Sequence, residues 1–376
     1  MTTLASSLED VRAIVAHQLD LLETQPDAAD TVAPLMLWGP PGVGKSAVVR
    51  AVCEARGIGF VDVRLAQREP IDLRGLPVPR GDAVEWLLSS EWPRDPQSKG
   101  ILLFDELTAA DRTLQVAAYE LILDRRLGTL YTLPPGWLVL GAGNRTSDRA
   151  VAGAMSSALA NRFCHLELEP SLDEWRDWAQ RVGLDPLVPG FLQFRPELFL
   201  DLSGDVQRGW PSPRSWERAA RAIMTAGGLG ERRLRRVLEG LVGQGAAAEL
   251  LAFRDLLDTL PDVPDALAGA SRIRVPERAD RRFALCTAIV QHFWSVRQRA
   301  TALERVLDLV EDLAPDFATL LLADLVRGRP AEDTRALFVH PRFVAQRERL
   351  GPIAAGRLMH ATDRRLAELL GGLPDV

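Results

Sequence analysis

Lysine is almost absent from this chain. Of its 45 basic residues only Lys45 and Lys99 are lysines, and the other 43 are arginines. A GC-rich genome would put arginine wherever any cation will serve, so a surviving lysine is a candidate for a place where a guanidinium would not. Lys45 has such an account, and Lys99, in the turn Gln97-Ser98-Lys99-Gly100, has none. Cysteine is nearly as scarce. Cys53, Cys164 and Cys286 lie far apart and form no CxxC pair, which excludes a disulfide framework or a cysteine-rich zinc site and suits a reducing cytosol, hence a cytoplasmic location. The five histidines, His17, His165, His292, His340 and His360, show no HExxH or paired ligand spacing, so no zinc chemistry is expected. No apolar run reaches the ~20 residues that cross a bilayer. The opening MTTLASSLEDVRAIV has no basic stretch leading into an apolar core, so no secretory signal is expected. Positive charge is not in excess either. A net charge of −6 and a pI near 5.6 argue against nucleic acid as the partner, and the cluster Arg232, Arg233, Arg235 and Arg236 reads as a solvated helix face.

What is present is an ordinary globular composition, 47% hydrophobic and 26% charged, over 376 residues. That length suits two or three domains. The first 170 positions alternate short apolar runs with helical patterns, the mark of an α/β fold with a parallel sheet covered by helices. Five strands are expected, at Leu35–Trp38, Gly59–Arg64, Ile101–Phe104, Trp137–Ala142 and Phe163–Leu168. Helices are expected over Ser7–Glu23, Ala47–Arg56, Arg112–Arg126 and Ala150–Asn161. Ile71–Trp92 reads as an inserted hairpin, and Gly128–Val139 as a hairpin turning on Pro-Pro-Gly. After Pro170 the patterns are helical, with weak Pro-containing breaks near 261–264 and 276. The expected domains are therefore 1–170, 171–262 and 263–376.

Directly after the first apolar strand stands Gly39-Pro40-Pro41-Gly42-Val43-Gly44-Lys45-Ser46, a complete GxxxxGK[ST] opening into a helix. Its glycines let successive backbone N–H groups turn inward on a phosphate, and the helix start adds its positive end. Lys45 can reach β- and γ-phosphate oxygens, and the Ser46 hydroxyl can ligate Mg²⁺. The strand Ile101–Phe104 delivers Asp105 and Glu106 at its C-terminal edge, where ligands bind in α/β sheets. Asp105 would hold Mg²⁺ and Glu106 would polarise an attacking water.

These motifs resemble the AAA+ ATPases and, within them, the MoxR-like group. The resemblance covers the chain to about residue 225 and extends more weakly through the helical remainder. It implies a P-loop αβα sandwich with a five-stranded parallel sheet, an all-α lid and a C-terminal helical region. It places Asn144, in Gly141-Ala142-Gly143-Asn144-Arg145, at sensor 1, which helps position the water. Arg162 falls in the arginine-finger segment, with Arg149 as the second candidate, and Arg214 falls at sensor 2, which answers nucleotide bound to its own subunit. A finger implies a ring, most commonly a homo-hexamer, in which a guanidinium stabilises charge developing on a neighbour's γ-phosphate. The family further implies Mg-dependent hydrolysis of ATP to ADP and phosphate, and chaperone-like remodelling of a client protein, often with a von Willebrand factor A-domain partner. No aromatic-apolar-Gly threading loop is evident, which points to local remodelling rather than processive threading. The alternatives are a nucleic-acid-acting AAA+ motor of the restriction or helicase kind, or a nucleotide-gated scaffold.

Overall fold

The computed structural model describes residues 5–148, 153, 155–260, 262–327, 329, 331–346 and 349–350. The chain divides into two units, Met1–Ser171 and Leu172–Val376. In chain order the first contains β1 (Ala5–Ser6), α1 (Leu8–Thr24), β2 (Leu35–Trp38), α2 (Lys45–Arg56), β3 (Gly59–Arg64), α3 (Pro70–Arg74), β4 (Leu76–Arg80) and β5 (Ala83–Leu87). It continues with β6 (Gly100–Asp105), α4 (Arg112–Asp124), β7 (Arg126–Leu127), β8 (Tyr131–Thr132), β9 (Trp137–Gly143), α5 (Ser157–Ala160) and β10 (Cys164–Leu168).

The main sheet is parallel throughout and runs β1-β10-β2-β9-β6-β3. Its central strands are apolar runs buried on both faces, as helix-covered parallel strands must be. One layer of core packs Val11, Val15, Leu19, Leu22 and Val49 against Leu35, Leu37, Leu103 and Leu140. The other packs Leu114, Ala118, Leu121 and Ile122 against Met36, Leu102, Phe104 and Val139. This order brings the C-terminal ends of β2, β9 and β6 side by side, the edge where ligands bind in such sheets.

Three expectations need correction. The sheet has six strands rather than five, because Ala5–Ser6 pairs with Glu167–Leu168; two residues carry no periodicity to read. The second hairpin does not turn on Pro-Pro-Gly. Arg126–Leu127 pairs with Tyr131–Thr132, and Pro134 instead closes the turn into β9, accepting from Trp137 N at 3.1 Å. The helix expected over Ala150–Asn161 starts only at Ser157, since extended Ser156 caps it and accepts from Leu159 N; residues 149–152 and 154 lie outside the described residues. The inserted hairpin is present as β4 paired with β5.

The second unit contains α6 (Leu172–Arg181), α7 (Leu187–Phe194), α8 (Pro213–Met224), α9 (Glu231–Val242), α10 (Gln244–Asp258), α11 (Val263–Leu267), α12 (Ala279–Phe293), α13 (Arg299–Asp312), α14 (Pro315–Val326) and α15 (Ala331–Phe338). Among the described residues it has no strand. One core gathers around Phe191, Trp216 and Phe253, a second around Phe293, Val306, Leu321 and Phe343. Helix α12 serves both, giving Ala284 to the first and Leu285 and Ile289 to the second. The buried pair Arg176–Asp324, at 2.6 Å, ties α6 to α14.

Candidate active site

Buried β2 ends at Trp38 and the chain turns through the glycine loop into α2. Gly44 is the N-cap at φ 102°, a conformation that side chains rarely adopt, and no side chain caps the helix. The first-turn N–H groups are therefore left for an anionic ligand. Lys45, the first helical residue, is only 8% exposed. Its Nζ donates to the carbonyls of Gly39 at 2.6 Å and Pro40 at 3.0 Å and to Asn144 Oδ1 at 3.0 Å. A buried ammonium needs such partners, and they hold it over the loop.

From β6 comes the acidic side of the site. Ser46 Oγ donates to Asp105 Oδ2, while Asp105 Oδ1 accepts from Glu106 N at 2.8 Å. Glu106 lies at φ 57°, a left-handed conformation that costs a non-glycine residue ~1–3 kcal/mol. The surrounding chain enforces it. Leu107 N donates to Ala142 O at 2.9 Å, and the Glu106 carbonyl accepts from Ala109 N at 2.9 Å and Ala110 N at 3.2 Å. Buried Gln115 then donates to the carbonyls of Leu107 and Ala110. The left-handed conformation at this one residue turns the chain out of line with the strand that ends in Asp105.

Asn144 follows β9 and is braced by a residue that the sequence pattern did not reveal. Thr108 is 1% exposed; its Oγ1 accepts from Asn144 N at 3.2 Å and donates to Asn144 O at 3.2 Å. A Cβ on Gly143 would come within 2.8 Å of Met36 Cε and of both Thr108 Cγ2 and Oγ1, so the glycine leaves room for the brace. Arg145 adds a second hold, pairing with buried Asp148 at 3.2 Å and with Glu167 on β10 at 2.9 Å. The two contacts to Asn144 span 36 positions, beyond the reach of local motif reading.

Gly39 to Ser46, Asp105, Glu106 and Asn144 thus meet at one sheet edge. Arg162 stands apart from them, exposed in the turn between α5 and β10. Among the described residues its guanidinium has no ion-pair partner. Arg214 is exposed in the first turn of α8, within the capping box formed by Ser212 and Ser215. Arg149 lies outside the described residues. Lys99 pairs with Glu23 on the surface. On α9, Arg232, Arg233, Arg235 and Arg236 are all exposed, opposite buried Leu234 and Leu238.

Asp62 on β3 is a further acid beside this edge. Burial pushes its carboxyl above the ordinary range and the Asp105 charge adds to the shift, while Arg64 and Arg50 oppose it. Its Oδ1 is buried with no hydrogen-bond partner, and Arg50 reaches Oδ2 only at 3.5 Å. A carboxyl raised in the fold binds protons more tightly folded than unfolded, so its charge costs stability as pH rises through the carboxylate range. Asp62→Asn is expected to raise the melting temperature at neutral pH. The gain should shrink to nothing once pH falls below the ordinary aspartate range. Melts of metal-free and nucleotide-free protein across that range check it.

Residues 35–117 match the family described as "ATPase family associated with various cellular activities (AAA)", so this stretch carries an AAA ATPase domain. Midasin of Giardia intestinalis is 26% identical over 152 residues, which are 39% of this chain and 3% of Midasin's own length. The chain therefore spans a small fraction of that relative. Among solved structures, NtrX from Brucella abortus in complex with ADP is similar over 89% of this chain and 68% of its own, at 20% identity and a TM-score of 0.29. A point mutant of RuvB from Thermotoga maritima is similar over 99% of this chain and 100% of its own, at 16% identity and a TM-score of 0.30. No helix among the described residues is long and apolar enough to cross a membrane.

Proposed function

We propose that this protein is a Mg²⁺-dependent ATPase of the MoxR-like kind, working as a homo-hexameric ring to remodel a client protein. The observation that carries the reading is the convergence of Lys45, Ser46, Asp105, Glu106 and Asn144 at the adjacent ends of β2, β6 and β9. A scaffold that only sensed nucleotide would have no need of a carboxylate held in a strained conformation beside the phosphate loop.

In this reading the loop N–H groups and Lys45 bind the β- and γ-phosphates of ATP. The hydroxyl of Ser46 and the carboxylate of Asp105 are hard oxygen donors already in contact, a donor set that fits Mg²⁺. When bound, the metal would neutralise phosphate charge. Glu106 polarises the attacking water, Asn144 orients it, and Arg162 of the next subunit stabilises the charge that develops on the γ-phosphate. Arg214 keeps the sensor 2 role, within a lid at 171–262 that precedes a C-terminal extension at 263–376. The von Willebrand factor A-domain partner and a cytoplasmic location belong to the same reading.

A mixing experiment tests the ring. Lys45→Ala subunits lack the phosphate contact and Arg162→Ala subunits lack the finger, so each alone is expected to be inactive. Mixed and shown to co-assemble, they should recover a measurable fraction of wild-type phosphate release. No recovery would count against a finger acting between subunits. The exposed arginines of α9 favour one other reading, a nucleic-acid motor. Turnover stimulated by DNA or RNA and falling steeply with salt would replace the first reading with that one.

A further inference from the structure

The strand that opens the phosphate loop is tied to the turn that presents Arg162 by an imidazole, in addition to the backbone pairing of β10 with β2. Trp38 is the last residue of β2 and directly precedes Gly39. Its indole Nε1 donates to His165 Nδ1 at 2.8 Å. The two rings lie edge to edge and nearly coplanar, with centroids 5.9 Å apart and planes 18° from parallel. On the other side His165 Nε2 lies 2.8 Å from the carbonyl of Ala160, the last residue of α5 and two before Arg162. Because an indole nitrogen is only a donor, Nδ1 must be the acceptor. The proton then sits on Nε2 and is donated to Ala160. Phe163 packs edge-on against the same ring at 6.3 Å. At its other end α5 is held by the contact of Ser156 with Tyr119 of α4.

We infer that His165 is a positioning residue for Arg162, setting the finger turn against its own subunit's phosphate-loop strand. The short helix α5 has only one turn and so has little rigidity of its own. Its C-terminal carbonyl accepts locally from Phe163 N at 3.3 Å and, from outside, from a ring whose second nitrogen is bonded to the first residue upstream of the loop. A finger must arrive within about an ångström to be effective, and a misplacement of ~1 Å can cost up to ~100-fold in rate. This role rests on the reading of Arg162 as a group acting on the neighbouring subunit's nucleotide.

The two can be tested separately in the mixed assembly of Lys45→Ala and Arg162→Ala subunits. There the active sites pair nucleotide held by an Arg162→Ala subunit with a finger given by a Lys45→Ala subunit. His165→Phe keeps a flat ring of similar size and loses both hydrogen bonds. Placed in the finger-giving subunit, it is expected to lower phosphate release about tenfold or more. Placed in the nucleotide-holding subunit, it should leave release and the Kd for ADP unchanged. His165→Gln, whose amide can still donate to the Ala160 carbonyl, should restore part of the loss. Equal losses from both placements, or no loss from either, overturn the role of His165. If the parent mixture co-assembles without activity, the finger reading fails and takes this role with it. Should His165→Phe subunits not assemble, Trp38→Phe supplies the same comparison by removing the indole donor while keeping an aromatic ring.

Discussion

Lys45→Ala is expected to weaken ATP binding by roughly 10–100-fold, the loss of a hydrogen bond to a charged group, and to bring turnover below detection. Two losses combine in this variant. The phosphates lose their compact cation, and the loop loses the bonds from Nζ to Gly39, Pro40 and Asn144. Lys45→Arg should rescue little. A buried position whose ammonium fits among three oxygens has no space for a planar guanidinium, although arginine stands at 43 other basic positions of the chain. Calorimetric titration with ATP and with ADP checks both variants. Binding by Lys45→Arg as tight as wild type would remove the steric account of why a lysine persists here.

Glu106→Gln is expected to act on the other side of the reaction. Removing a positioned base typically costs 10²–10⁴-fold in rate, so phosphate release should fall by about that factor while ATP affinity is kept or increases. Glutamine preserves size and is subject to the same backbone strain at φ 57°; the comparison therefore isolates the carboxylate. Glu106→Gly is the informative companion. It relieves the left-handed strain and should raise the melting temperature while abolishing turnover, since the stored strain is of order 1–3 kcal/mol. A Glu106→Gln protein that hydrolyses ATP at the wild-type rate would reassign the base.

The sheet and the nucleotide motifs were legible because each is local. A buried strand followed by glycines and Lys45-Ser46, or by Asp105-Glu106, is contained in about ten consecutive residues. What was illegible depended on distance or on broken rules. Thr108 supports Asn144, and Trp38 meets His165 across 127 positions; no periodicity joins such pairs. Helix α7 has no clean local signature because Leu187–Phe194 contains Pro189 and Gly190, residues that usually break helices. Pro189 lies in the first turn, where no N–H is needed. Gly190 permits a close crossing, since a Cβ there would come within 2.4 Å of Thr287 Oγ1. The α5 start was misplaced for the opposite reason: alanines from 150 onward look helical until the capping by Ser156 is known.

The hairpin of β4 and β5 carries Leu76, Val84, Trp86 and Leu87 in solvent, each at least 42% exposed. An open ribbon of that composition invites copies of the protein to stack edge to edge. Its register answers the hazard on one side. Pro77 stands opposite Trp86 and Pro79 opposite Val84, and since proline has no N–H, these are the positions that face outward from the pair. The outer edge of β4 therefore offers no donor at either position, whereas that of β5 keeps its N–H groups at Val84 and Trp86. The ribbon is one-sided: it can extend only through β5, so stacking through two like edges is closed off along β4. A surface that is sticky in its side chains is kept from becoming the seed of a fibre by two missing hydrogens.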